Sequence, residues 1–169
     1  MKRIFIALAL FAAACGQTAA PPPESAPVAE APALPLTGHF TAMSNTAISI
    51  TGDLDVTPDV LSFGRGFRIE GARVAAALSP TSELAAGQGS FADATGNQSI
   101  ETMELRQIAL VRVAADAAAP SLCGDAQPTF VVLARGADTL SVLIFSGIET
   151  PGAAAQATSL CGIYNYMPT

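Results

Sequence analysis

From Thr37 onward, short runs of alternating apolar and polar residues are separated by turns rich in Gly, Pro and Asp. A period of two places one face of a strand on a core and the other face in solvent. Five such runs open this region: residues 39–43, 47–51, 54–57, 60–63 and 67–70. The last two flank the turn Gly64-Arg65-Gly66, which predicts a hairpin because Gly adopts positive φ at no steric cost.

Two later runs, residues 129–134 and 140–145, are apolar at nearly every position and flank a turn at 135–138. A strand of this kind needs cover on both faces, so this hairpin is expected at the centre of the core. A final strand is expected at 161–166. The pattern therefore predicts an all-β domain of about eight mainly antiparallel strands, built as a β-sandwich or a small barrel.

The middle of the chain has a less regular pattern. Residues 72–78 are expected to form a strand. Ser79 and Pro80 are typical N-cap and first-turn residues, so a short helix is expected from there to Gly87, followed by a loop over 87–99. Residues 103–113 fit either one helical face or a strand with a bulge; Val111 and Val113 favour the strand.

The N-terminus is expected to carry an export signal. Lys2 and Arg3 precede eleven residues, 4–14, that contain no charge. As a helix these residues span about 16 Å at roughly 1.5 Å per residue, which is too short for a bilayer core of about 30 Å. The segment is therefore expected to be the apolar region of a signal peptide and not a permanent membrane span.

The residues Ala12-Ala13-Ala14-Cys15 resemble the lipobox of bacterial lipoproteins, Leu-Ala-Gly/Ala-Cys, with Ala12 in the place of Leu. The resemblance implies that the Cys15 sulfur receives a diacylglycerol, that residues 1–14 are removed, and that the new amino group is acylated. In that family an Asp after the Cys retains the protein at the inner membrane. Gly16 stands there, which implies an outer-membrane anchor with the domain in the periplasm or at the cell surface.

An ordinary secretory signal is the alternative. The site Thr18-Ala19-Ala20 has the small residues that such cleavage needs, but Pro21 follows directly and makes a poor substrate.

Residues 15–36 are expected to form a disordered linker behind the anchor. Six of the 21 residues from 16 to 36 are Pro, and most of the others are Ala, Ser, Thr, Glu and Gln. Such a composition buries too little apolar surface to fold and favours polyproline II, so the segment reaches at most about 65 Å at 3.1 Å per residue. The alternative is a Pro-rich recognition motif, although no basic residue is present to orient a partner. The globular domain is then 37–169.

Besides Cys15, the chain has two cysteines, Cys123 and Cys161. An even pair in an exported protein predicts a disulfide, and closing this loop is worth roughly 4 kcal/mol by chain entropy. Two unpaired buried thiols are the alternative. A zinc site is not expected, because two Cys and one distant His do not supply four ligands.

The charge of the processed chain limits its partners. Once Lys2 and Arg3 are removed, six Arg and fourteen acids remain, which gives 6 − 14 = −8. This balance argues against nucleic acid and against anionic lipid surfaces as partners, so the acyl chains on Cys15 are expected to hold the protein at the membrane.

The sequence offers little catalytic chemistry. His39 is the only histidine, and no Gly-x-Ser-x-Gly, P-loop or His-Glu-x-x-His motif occurs. No catalytic residue and no cofactor is therefore expected, and a hydrolase using His39 is the least favoured function. Asp53, Asp55 and Asp59 have oxygen ligands suited to calcium, but their alternation with apolar residues is also what a solvated strand face gives, so no metal is expected.

Tyr164 and Tyr166 lie on one face of the last strand, opposite Cys161 and Ile163 if the alternation is regular. Exposed aromatic pairs are typical contact points, so these two are the candidate binding surface. The alternative is that another element covers them. The function expected is a non-enzymatic binding or inhibitory module for an envelope protein; a structural or stress-related envelope lipoprotein without a ligand is the alternative.

Overall fold

The computed structural model describes residues 34–76 and 78–169, so the predicted signal peptide, Cys15 and most of the predicted linker lie outside the described part. The described chain forms a closed antiparallel barrel of eight strands in sequence order, which confirms the all-β prediction and selects the barrel over the sandwich. The strands are β1 Gly38–Ala42, β2 Leu54–Val56, β3 Val60–Phe63, β4 Phe67–Val74, β5 Thr102–Val113, β6 Pro128–Arg135, β7 Leu140–Gly147 and β8 Thr158–Pro168.

The barrel closes where β1 pairs with the end of β8, with Phe40 opposite Pro168 and Ala42 opposite Tyr166. Because consecutive strands are antiparallel, the connections alternate between two ends. We call the end where the chain enters β1 the first end; it also holds the β2–β3, β4–β5 and β6–β7 connections. The second end holds the β1–β2, β3–β4, β5–β6 and β7–β8 connections.

Apolar side chains fill the barrel interior. Phe63 and Phe67 stack there with ring centroids 4.5 Å apart. The interior cluster comprises Phe40, Leu54, Val56, Leu61, Phe63, Phe67, Ile69, Val131, Leu133, Leu140, Val142, Ile144, Tyr164 and Tyr166, with the helical Ala47 and the loop residue Leu122. An eight-stranded barrel is narrow enough for side chains to occupy its interior, as they do here.

A second apolar cluster covers the outer face of β5 to β8. Its cover is the long β4–β5 connection, in which Leu84 and Phe91 are buried. Phe91 meets Phe145 edge to face, with centroids 6.3 Å apart. The cluster contains Leu84, Phe91, Leu105, Phe130, Val132, Ala134, Leu143 and Phe145. The prediction that the central hairpin is covered on both faces is therefore confirmed.

The helix in this connection lies later than predicted. It is α1, Phe91–Thr95, and Ser90 caps it in a reciprocal capping box with Asp93. The helix expected over 79–87 is wrong: the Ser79 hydroxyl meets those of Thr81 and Ser82, and the chain then folds back through a bridge between Glu83 and Ser90.

Residues 47–51 form a π-helical turn, Ala47–Thr51, and not the strand predicted for them. The alternating pattern also fits one face of a single helical turn, because Ala47 and Thr51 are both buried while Ile48 is half exposed. The turn ends at Gly52, whose φ of 68° a side chain would disfavour. Thus the β1–β2 connection is compact and lies on the second end of the barrel.

Residues 103–113 belong to strand β5, which confirms the strand interpretation with a bulge: the ladder between β4 and β5 shifts register between Glu70 and Gly71. The two strands predicted at 67–70 and 72–78 are one strand, β4, that runs through this irregularity. A residue with a Cβ at Gly71 would meet the Gln107 carbonyl oxygen at 2.6 Å, so the close approach requires Gly there.

The predicted disulfide between Cys123 and Cys161 is confirmed. Cys123 lies in the β5–β6 connection at the second end, beside Leu122, which is buried in the barrel interior. Cys161 lies in β8 at the point where the β7–β8 ladder shifts register. The bond therefore ties a connection that has no ladder of its own to the closing strand.

Candidate functional site

A buried ion pair lies at the first end of the barrel. Glu104 and Arg106 both point inward from β5, with 6% and 1% of their surfaces exposed. Arg106 donates from Nε to Glu104 at 2.6 Å and from its terminal nitrogens to the carbonyls of Thr57, at 2.7 Å, and Leu36, at 3.2 Å. The second Glu104 oxygen faces Arg73 Nε at 3.4 Å. Both charges are thus satisfied away from water, which buried charges require.

The segment before β1 is fastened to this pair. The Leu36 amide donates to Glu104 at 2.8 Å, and the Leu36 side chain packs against the interior cluster. The linker was predicted to end at Leu36, so the contacts of the barrel begin at least one residue earlier than the boundary at Thr37. The ion pair therefore joins the chain entry to β5 and to the β2–β3 turn.

Tyr164 and Tyr166 are buried inside the barrel, with 2% and 0% of their surfaces exposed, and they offer no contact surface in the folded domain. The register shift at Cys161 interrupts the alternation, so Cys161 packs against the same interior cluster as both tyrosines while Ile163 packs outside. The Tyr166 hydroxyl meets the Thr51 hydroxyl at 2.6 Å. Burial raises the pKa of both phenols above the ordinary value of 10.0.

His39 and Asp55 form an exposed pair across β1 and β2, with Nδ1 2.6 Å from the carboxylate and about half of each side chain or more in solvent. Among the contacts of the imidazole with described residues there is no hydroxyl or thiol to act as a nucleophile. Asp53 instead accepts the Ala42 amide at 2.9 Å. The described residues contain no group of three His, Cys, Asp or Glu placed to hold a metal ion.

The outer face of β3, β4 and β5 near the second end carries an arginine pair. Ser62 pairs with Arg68, and Arg68 pairs with Arg112, so the three form one row across three strands. They line a cleft of about 350 Å³ together with Val113 and Ala114. This is a positively charged site on a chain whose net charge is negative.

Two exposed apolar side chains lie beside the β3–β4 turn at the second end. Ile48, 49% exposed, accepts a hydrogen bond from Arg65 through its carbonyl, and Val113, 39% exposed, is opposite Phe67. Leu110 is exposed on the same half of β5. Met43 instead lines a cleft with the β6–β7 connection at the first end, and Ile148 lies apart in the β7–β8 connection. Clusters of exposed apolar residues are typical of interaction surfaces, whereas scattered single residues are not.

No protein-family model, curated protein or solved structure matches this chain. Within the described residues, no helix is long and apolar enough to cross a bilayer.

Sequence reasoning missed the two clusters that the barrel builds from charged residues. A period of two along β5 places Glu104, Arg106 and Ile108 on one face, and that signal was available. No local pattern shows the barrel closure that buries this face. No local pattern shows either that the carbonyls of Leu36 and Thr57, 70 and 49 positions away, accept hydrogen bonds from Arg106. The row of Ser62, Arg68 and Arg112 likewise depends on ladder registers.

Proposed function

We propose that the protein is a lipid-anchored envelope protein whose barrel is a non-enzymatic module that binds another protein through its outer surface. The signal peptide and the lipobox resemblance at Cys15 support the anchor. The barrel supports binding at its outer surface, because side chains occupy its interior.

The observation that carries the proposal is the position of the exposed apolar residues. Ile48, Leu110 and Val113 are exposed toward the second end, near the β3–β4 turn. Neighbouring exposed apolar side chains favour association with another surface, and such groups often mark a site of protein–protein contact.

A structural envelope lipoprotein without a ligand is the alternative function. It requires the same anchor but no preferred contact at the second end. The proposal therefore rests on the contact surface, and the anchor alone does not distinguish the two functions.

The experiment has two parts. Metabolic labelling with a fatty acid is expected to label the wild-type protein and not the Cys15→Ala variant; an unlabelled wild type would refute the anchor. Chemical crosslinking in intact cells followed by affinity purification is expected to recover one envelope protein with the wild type. Recovery should fall when Ile48 and Leu110, both exposed, are changed to Ser, and unchanged recovery would refute the role of the second end.

A His39→Ala variant addresses catalysis. The exposed pair with Asp55 is the only place where the described residues hold an imidazole against a carboxylate. The proposal expects the variant to recover the same crosslinked partner as the wild type, because the imidazole has no part in the contact.

A further inference from the structure

The arginine row on β3 to β5 has an unusual charge arrangement. Arg68 and Arg112 are directly opposite each other on neighbouring strands. Like charges at such positions repel, because opposite residues on one face have Cβ atoms about 5 Å apart. An anion between the two guanidinium groups offsets this repulsion.

The Glu70 carboxylate compensates only part of the charge of the two guanidinium groups. Its Oε1 lies 3.2 Å from Arg68 Nε and 2.8 Å from Arg112 Nε. One carboxylate therefore serves two guanidinium groups, and one positive charge remains. The terminal nitrogens of Arg68 and Arg112 have no hydrogen-bond acceptor among the described residues, and both side chains are 54% exposed. Guanidinium forks of this kind bind carboxylates in bidentate geometry.

Strand β5 has an unpaired edge beside the row. The β5–β6 ladder ends at Gln107 opposite Phe130, and β6 begins at Pro128, which has no N–H to donate. β5 continues to Val113. Its residues beyond Gln107 therefore pair with β4 but have no β6 residue opposite them.

The direction of the unpaired groups follows from the ladder. The Ala114 amide donates to the Gly66 carbonyl at 2.8 Å and so points toward β4. Since backbone groups alternate between the two edges of a strand, those of Val111 and Val113 point away from β4. Outside the strand ladders, no backbone or side-chain group of the described residues bonds to them. Free edge groups of this kind are the template for strand addition.

We propose that an extended segment of a partner polypeptide adds to the edge of β5 at Val111 and Val113 and places an acidic side chain on Arg112. The proposal rests on the proposed function and names the chemistry of the partner at one surface. The backbone edge favours a polypeptide, because a second strand can pair with alternating N–H and C=O groups and a lipid headgroup cannot. The spare charge beside Glu70 selects an acid, and exposed Leu110 on the same face favours an apolar neighbour in the segment.

The test uses the full-length protein in detergent, labelled with ¹⁵N, and a short capped peptide that alternates valine and glutamate. Binding is followed through the amide signals of Val111 and Val113 up to millimolar peptide. We expect these two signals to shift. Arg112→Gln should weaken binding about tenfold or more, the scale of one lost charge-assisted hydrogen bond. Glu70→Gln should strengthen binding, since it removes the competing carboxylate; a merely structural role for Glu70 does not predict this sign.

Three controls separate the parts of the proposal. Arg65→Gln removes the same charge from an arginine that bonds the Ile48 carbonyl instead, and should leave affinity unchanged. A peptide with lysine for glutamate should bind more weakly, and so should one N-methylated along one edge. Equal binding of the N-methylated peptide would overturn strand addition. Failure of the glutamate peptide to bind would overturn the proposal, as would Arg112-dependent binding to phosphatidylglycerol vesicles in its place.

The proposed function has a separate outcome. If Arg112→Gln and Glu70→Gln leave the crosslinked envelope partner unchanged in cells, the β5 site is wrong while a binding module remains. If no partner is recovered with the wild type either, the function itself is refuted.

Discussion

Replacing Glu104 with Gln should destabilise the barrel more than any exposed charge substitution. The change keeps the size of the side chain and removes its charge. Arg106, with 1% of its surface exposed, would then have only neutral acceptors: the carbonyls of Thr57 and Leu36 and the amide oxygen of the new Gln. Breaking one side of a buried ion pair costs about 3–5 kcal/mol, because the remaining charge stays desolvated.

This loss is a large part of the total stability. A domain of this size is stable by about 5–15 kcal/mol, so the variant should unfold at clearly lower urea and lower temperature. The matched control is Arg112→Gln, which breaks an exposed pair and should cost at most about 1 kcal/mol. The double variant Glu104→Gln, Arg106→Met should recover part of the loss, because it leaves no buried charge.

Urea unfolding followed by far-UV circular dichroism measures all four proteins. The two tyrosines give an independent probe, since the chain has no Trp and both phenols lie in the interior. A loss below about 1 kcal/mol for Glu104→Gln, or a double variant no more stable than Glu104→Gln alone, would refute the reasoning.

Three further predictions concern the disulfide, the Leu36 contacts and the two buried tyrosines. Reducing the disulfide should lower the unfolding free energy by roughly 4 kcal/mol, because the bond holds a connection without a ladder; calorimetry with and without reductant measures this, and an unchanged midpoint contradicts it. Deleting residues 16–33 should leave the midpoint unchanged, whereas deleting 16–36 should cost about 2–4 kcal/mol through the lost Leu36 contacts; equal midpoints would contradict the role of Leu36. Burial raises the pKa of both tyrosines, so their contribution to stability is complete below pH 10.0 and is lost as the pH rises above it. Tyrosinate absorbance should therefore appear together with unfolding, and a separate earlier transition would show an accessible phenol.

The strands and the central hairpin could be predicted because their signal is local. A period of two marks β1 and β2, and unbroken apolar runs mark β6 and β7, whose second face is covered by Leu84 and Phe91. The disulfide followed from counting cysteines. These features need only the residues of one or two segments.

The remaining features depend on partners distant in sequence. Residues 47–51 form a helical turn that buries Ala47 and Thr51. Five residues with alternating polarity fit a strand equally well, so the sequence pattern does not distinguish the two structures. The burial of Tyr164 and Tyr166 depends on one irregularity at Cys161, which moves them from the expected outer face to the interior. A single added residue in a strand reverses which side chains face the core, and no local pattern shows it.

Photo-crosslinking in intact cells tests the central claim, that the outer surface of the barrel near the second end binds a partner protein. A photoreactive residue replaces exposed Leu110 in one strain and exposed Thr102, at the opposite end of the same strand, in a second. The account predicts a discrete crosslinked envelope protein from position 110 and none from position 102. No adduct at 110, or the same adduct at both positions, would contradict it.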